Sequence, residues 1–108
     1  MAIRASIRAG ACGFGTDVHA TCADGLRVAL QLESDCPKVQ AMAAALPELS
    51  AVDEVLRKPF VDTTPAKMAG QYRLHVSCPV PVGILTAVEA AAGLALPTRC
   101  EICLEQTT

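Results

Sequence analysis

The hydrophobic period changes at Pro37, and that change limits the folds open to this chain. Before Pro37 apolar residues recur every second position. After it they recur at helical spacing. Ile3, Ala5 and Ile7 alternate with Arg4, Ser6 and Arg8, the pattern of a half-buried strand. "GACG" at 10 to 13 breaks it. Phe14, Thr16, Val18, Ala20 and Cys22 then share one face of a second strand, with Asp17, His19 and Thr21 on the other. Asp24-Gly25 predicts a two-residue hairpin turn. Leu26, Val28, Leu30 and Leu32 give the inner face of a third strand. A three-stranded antiparallel meander is expected from these residues.

Val39, Met42, Ala43 and Leu46 fall on one helical face, and Pro47 stops that helix. "SAVDEVLRK" predicts a short second helix ending before Pro59, and Pro65 opens another short one. The next helix runs from Pro79 to about Ala92, with Leu85, Val88, Ala91 and Ala92 as its stripe and Gly93 as its C-cap. Thr98 to Glu105 alternates again and predicts a final strand, with Thr98, Cys100, Ile102 and Leu104 on its inner face. The expected fold is α+β, a two-layer sandwich. Its antiparallel sheet would hold the meander plus the C-terminal strand, with helices on one face.

A chain of 108 residues makes a single domain, 1–108. Hydrophobic residues are 52% of it, with no Trp, one Tyr and two Phe, which predicts a core of small aliphatics and argues against stacking of bases or sugars. Net charge is −2 and no basic run occurs, which argues against a nucleic-acid partner. "MAIRASIRAG" lacks the apolar stretch of a signal peptide, and Val80 to Leu96 is interrupted by Pro81, Glu89 and Gly93. No membrane association and a cytoplasmic location are expected. A protein partner or a homodimer stays open; the apolar helix 79 to 92 could bury a face in either.

Six cysteines in such a chain read as metal ligands, reactive thiols or small core residues. "CEIC" at 100 to 103 has the form of a metal or redox motif. In a strand, however, residues three apart face opposite ways, which predicts a core Cys100 and a surface Cys103. Cys22 is in register with an inner face and reads as core.

Cys36 and Cys78 each precede a proline that opens a helix. Proline suits the first helical turn because its missing N–H would be unpaired there. Each sulfur is thereby set at a helix N-terminus, where free N–H groups and the positive dipole end favour a thiolate. Cys12 lies in the glycine-flanked break between the first two strands, and His75 stands three residues before Cys78. This set predicts a zinc or iron–sulfur site with Cys12, Cys36 and Cys78 as ligands and His75 or an exogenous group as the fourth. A second reading is catalytic, with Cys78 as nucleophile and Cys36 as resolving thiol. A third is a structural or adaptor domain that binds no cofactor. Enzyme and binding module stay undecided at this level.

"CGF" at 12 to 14, "ESDCP" at 33 to 37, "CPVPVGI" at 78 to 84 and "AAGLALP" at 91 to 97 resemble a family of small uncharacterised bacterial and archaeal proteins. The likeness extends over nearly the whole chain. "CPVP" at 78 to 81 also resembles, locally, the Cys-Pro-x-Pro step of the TusA/SirA-type sulfur carriers. That resemblance implies a persulfide carried on Cys78. In those carriers the step opens the first helix; here it opens a late one.

Overall fold

The computed structural model describes all residues, 1 to 108. Strands β1 (Ala2–Arg8), β2 (Gly15–Thr21) and β3 (Arg27–Ser34) form the expected meander. They pair antiparallel in the order β1-β2-β3-β4, where β4 is the short Leu49–Ser50 pairing with Arg27 and Val28. Helices α1 (Pro37–Ala45), α2 (Thr64–Gln71) and α3 (Val80–Ala91) cover one face. Between α1 and α2 lie a π-helical turn, Val52–Arg57, and a 3-10 turn, Phe60–Asp62. The architecture is α+β, with an open antiparallel sheet.

Alternation places the core. Ile7, Thr16, Val18, Ala20, Cys22 and Val28 are buried under the helices. Opposite them, Arg4 pairs with Asp17 at 2.9 Å across the solvated face. From the helical layer, Val39 and Met42 of α1 and Val80, Ile84, Ala87, Val88 and Ala91 of α3 close the core. The stripe on α3 is therefore turned from the expected one. Ile84 and Ala87 point inward, while Leu85 is only half-buried. The cause is Gly83, which lets the helix approach so closely that a Cβ there would collide with Ile7. A close approach at Gly83 brings Ile84, its neighbour in the chain, against the sheet.

One turn differs from expectation. The second hairpin connection is wider than two residues. It runs through Cys22–Leu26, and the Asp24 carboxylate accepts the N–H groups of Leu26 and Arg27 at 2.9 and 3.0 Å. Those two amides hold the Asp24 carboxyl below its ordinary range. Gly25, at φ 75°, supplies the left-handed residue.

The larger correction is at the C-terminus. No strand forms over Thr98 to Glu105. The fourth strand of the sheet is Leu49–Ser50 instead, and residues 94 to 108 carry no regular structure. Cys100, expected in the core, is exposed, as is Cys103. Alternation alone cannot order a segment; a partner edge also has to receive it, and residues 95 to 108 are exposed and hydrogen-bond only among themselves. The molecule spans 48 Å along its longest axis against 28 and 24 Å across the others.

Candidate functional site: three thiols at one end of the sheet

The two Cys-Pro steps both open helices, one residue out of phase with each other. The carbonyl of Cys36 accepts the first helical bond of α1, from the Gln40 N–H at 2.9 Å, with Pro37 as the first helical residue. The second step starts α3 through the Pro79 carbonyl, which accepts from Gly83 at 2.9 Å. No side chain caps α3, whose N-cap residue is Pro79. Each proline fills a position at the helix start where a missing N–H costs little, and each cysteine stands just before the first turn.

Topology then brings the steps together. β3 ends at Ser34, opposite Thr16 at the start of β2, and β2 starts at Gly15, opposite Arg8 at the end of β1. That same end of the sheet holds the β1–β2 turn with Cys12. It also holds the first turn of α1, which follows β3 directly. The first turns of α3 rest there too, because Gly83 packs on Ile7. Cys36 is tethered further. The Ser34 hydroxyl accepts the Cys36 N–H at 3.1 Å and meets the Thr16 hydroxyl at 2.7 Å. The Gln40 side chain donates to the Ser34 carbonyl at 2.7 Å. Lys38 of α1 donates to the Arg73 carbonyl at 2.9 Å, tying the start of α1 to the segment before Cys78.

The thiols sense one another as a result. Burial pushes the Cys78 thiol above its ordinary value. The Val80 N–H pulls the other way, and the thiolates of Cys12 and Cys36 push it up further. The thiolate preference expected of a helix N-terminus is therefore overridden at Cys78. One amide does not outweigh a half-buried sulfur with two like-charged neighbours. Cys36 is also half-buried and packs on the core, while Cys12 is exposed on its turn. Gly10 and Gly13 flank Cys12 in open space, with Gly13 at φ 74°.

His75 is exposed and is not drawn into the cluster. Its Nδ1 is 3.1 Å from the Ser77 hydroxyl, and its carbonyl accepts the Cys78 N–H at 2.9 Å. As they stand, no three His, Cys, Asp or Glu side chains close into a metal-holding group. Cys100 and Cys103 lie on the tail, outside the cluster.

Sequence reasoning missed the parts that hold the site. Gly83 in an alanine-rich helix was the available signal for close approach. Ser34 and Gln40 had no signal, because their partners are set by strand register. Glu54 was missed as well. It is 5% exposed, yet it accepts from the Thr64 N–H at 2.8 Å, from the Thr64 hydroxyl, and from Lys58 at 3.1 Å. It joins the π-helical turn to the start of α2.

The fold defines a class: a small α+β domain with two Cys-Pro helix starts at one end of its sheet. The chain belongs to the family described as "Family of unknown function (DUF6951)", whose model it matches over residues 3–104. No curated protein and no solved structure matches it. No helix is long and apolar enough to cross a membrane.

Proposed function

We propose that this protein is a soft-metal or iron–sulfur binding module of the cytoplasm, with Cys12, Cys36 and Cys78 as thiolate ligands. What supports it is the topology, which carries three cysteines that are distant in sequence to the same end of the sheet. Three sulfur donors suit Zn²⁺ or an iron–sulfur cluster and suit hard cations poorly. Helix N-termini beside two of them offset the negative charge that thiolate ligation brings. Bound metal would replace the proton that burial favours on Cys78. Closing the set requires Cys12 to move inward on its glycine-flanked turn. His75 or an exogenous group would supply the fourth position. Ser77 at Nδ1 leaves Nε2 of His75 as the donor. No catalytic step is assigned.

The experiment is anaerobic purification followed by metal and sulfide analysis and an absorption spectrum, for the wild type and for Cys12→Ser, Cys36→Ser and Cys78→Ser. The expected result is a defined metal stoichiometry that each substitution lowers sharply. Retention of metal in all three variants overturns the reading. Persulfide loading on Cys78 of the metal-free protein, indifferent to Cys12→Ser, would favour the sulfur-carrier alternative.

A further inference from the structure

Two parts of the molecule are unsatisfied, and they match. One is the tail. Ile102 and Leu104 are 85% and 96% exposed, on an alternating segment whose opposite face carries Arg99, Glu101, Cys103 and Glu105. Its side-chain hydrogen bonds are all local: Arg99 to Glu101, Cys103 to Glu101, Gln106 to Thr108.

The other is β1, a seven-residue strand at the edge of the sheet. An edge strand offers a row of unpaired N–H and C=O groups. On the helix-covered face of β1, Ile7 is buried but Ile3 and Ala5 are only partly covered. On its other face stand Arg4, Ser6 and Arg8, with no acid among them. Arg4 and Arg8 are four residues apart, as are Glu101 and Glu105.

We propose that residues 98–105 add as a strand to β1 of a second copy of this chain, and that the exchange is reciprocal. Strand addition satisfies the β1 edge through backbone bonds and seats alternate side chains on the two faces. Glu101 and Glu105 then lie opposite the two arginines, and opposite charges across a strand pair attract. Ile102 and Leu104 take the helix-covered face beside Ala5 and Ile7. The occupant is a second copy because residues 95 to 108 are exposed and hydrogen-bond only among themselves, with no contact of that kind to their own domain. A reciprocal exchange closes with twofold symmetry and leaves neither β1 edge open.

Pairing the glutamates with the arginines puts Cys103 opposite Ser6 whether the added strand runs parallel or antiparallel, since both are the middle residues of their spacings. Facing residues on paired strands lie within disulfide reach. Ser6→Cys, on an exposed face of β1, therefore tests the register directly. Mild oxidation of the purified variant, read on a non-reducing gel with peptide mapping, should give a covalent dimer joining Cys103 of one chain to position 6 of the other. Under reducing conditions the wild type should sediment as a dimer. Ile102→Asp should weaken it by about tenfold or more, because a carboxylate resists burial. Three outcomes overturn the proposal: a Cys103-to-position-6 link within one chain, no such link at all, or a wild type that sediments as a monomer at tens of micromolar.

Discussion

The cysteines of "CEIC", residues 100 to 103, are neighbours in sequence, yet the structure leaves both exposed on the tail. Cys12, Cys36 and Cys78 are separated by tens of residues, yet the topology carries all three to one end of the sheet. The difference lies in what anchors each sulfur. Cys36 and Cys78 are fixed by helix starts, which are rigid and directed. Those helix starts are in turn fixed by strand register and by the contact of Gly83 with Ile7. The tail has the motif without an anchor. A spacing pattern becomes a site only where the backbone that carries it is held.

Breaking the anchored group should have the largest effect. Cys36→Ser and Cys78→Ser should each lower metal affinity by more than the ~10–100-fold that loss of an outer-shell partner costs. Cys100→Ser, measured beside them by metal analysis of anaerobically purified protein, should leave the metal content at the wild-type level. Equal losses in all three would remove the distinction between the anchored cysteines and the tail.

The anchor can be tested apart from the ligands. Gly83→Ala places a Cβ against Ile7 and pushes the start of α3 off the sheet. Overpacking costs about 1–3 kcal/mol, offset in part by the ~0.5–1 kcal/mol that alanine gains over glycine in a helix. A net loss of about 1 kcal/mol is expected in urea unfolding, with weaker metal binding because Cys78 moves with the helix. Adding Ile7→Val should recover part of both, and a double-mutant cycle would measure the coupling. Simple additivity would show that Gly83 does not set the position of α3.

Glu54 sharpens the comparison from outside the site, as a buried carboxylate whose anchoring affects stability alone. Burial raises its carboxyl pKa, but the Thr64 hydroxyl and N–H and the Lys58 ammonium lower it more, so it lies below the ordinary value of 4.5. A lowered folded-state pKa contributes stability above the unfolded value, and that contribution fades as pH falls through the folded one. Glu54→Gln should cost about 1–3 kcal/mol at neutral pH. The wild type and variant should converge as pH is lowered below the carboxyl range. Thermal melts across that range would read it, and a constant gap would contradict the sign.

The regular elements were legible because their signals are local. Alternation gave three strands, and proline gave the starts of α1, α2 and α3. The Cys-Pro steps could be read as helix-opening sulfurs for the same reason. What could not be read depended on contacts between elements. The inward turn of Ile84 depends on Gly83 meeting Ile7. The tether at Cys36 depends on Ser34 facing Thr16. The tail carries the same alternation as β1, yet it forms no strand within its own sheet. Periodicity reports which faces a segment would have, and leaves open whether an edge is there to receive it.

Cys103→Ser carries the smallest expected effect and tests the other side of the comparison. The residue is exposed, and its sulfur makes one weak contact, 3.9 Å from Glu101. Exposed substitutions of this kind stay within about 0.5 kcal/mol. A serine at this position would also keep the outer, solvent-facing place of Cys103 in any added strand. Stability, metal content and oligomeric state should therefore all match the wild type, by chemical denaturation, metal analysis and sedimentation in reductant. Loss of a metal equivalent would mean that the tail folds back onto the sheet end and supplies a ligand. The contrast between anchored and free cysteines would then fail.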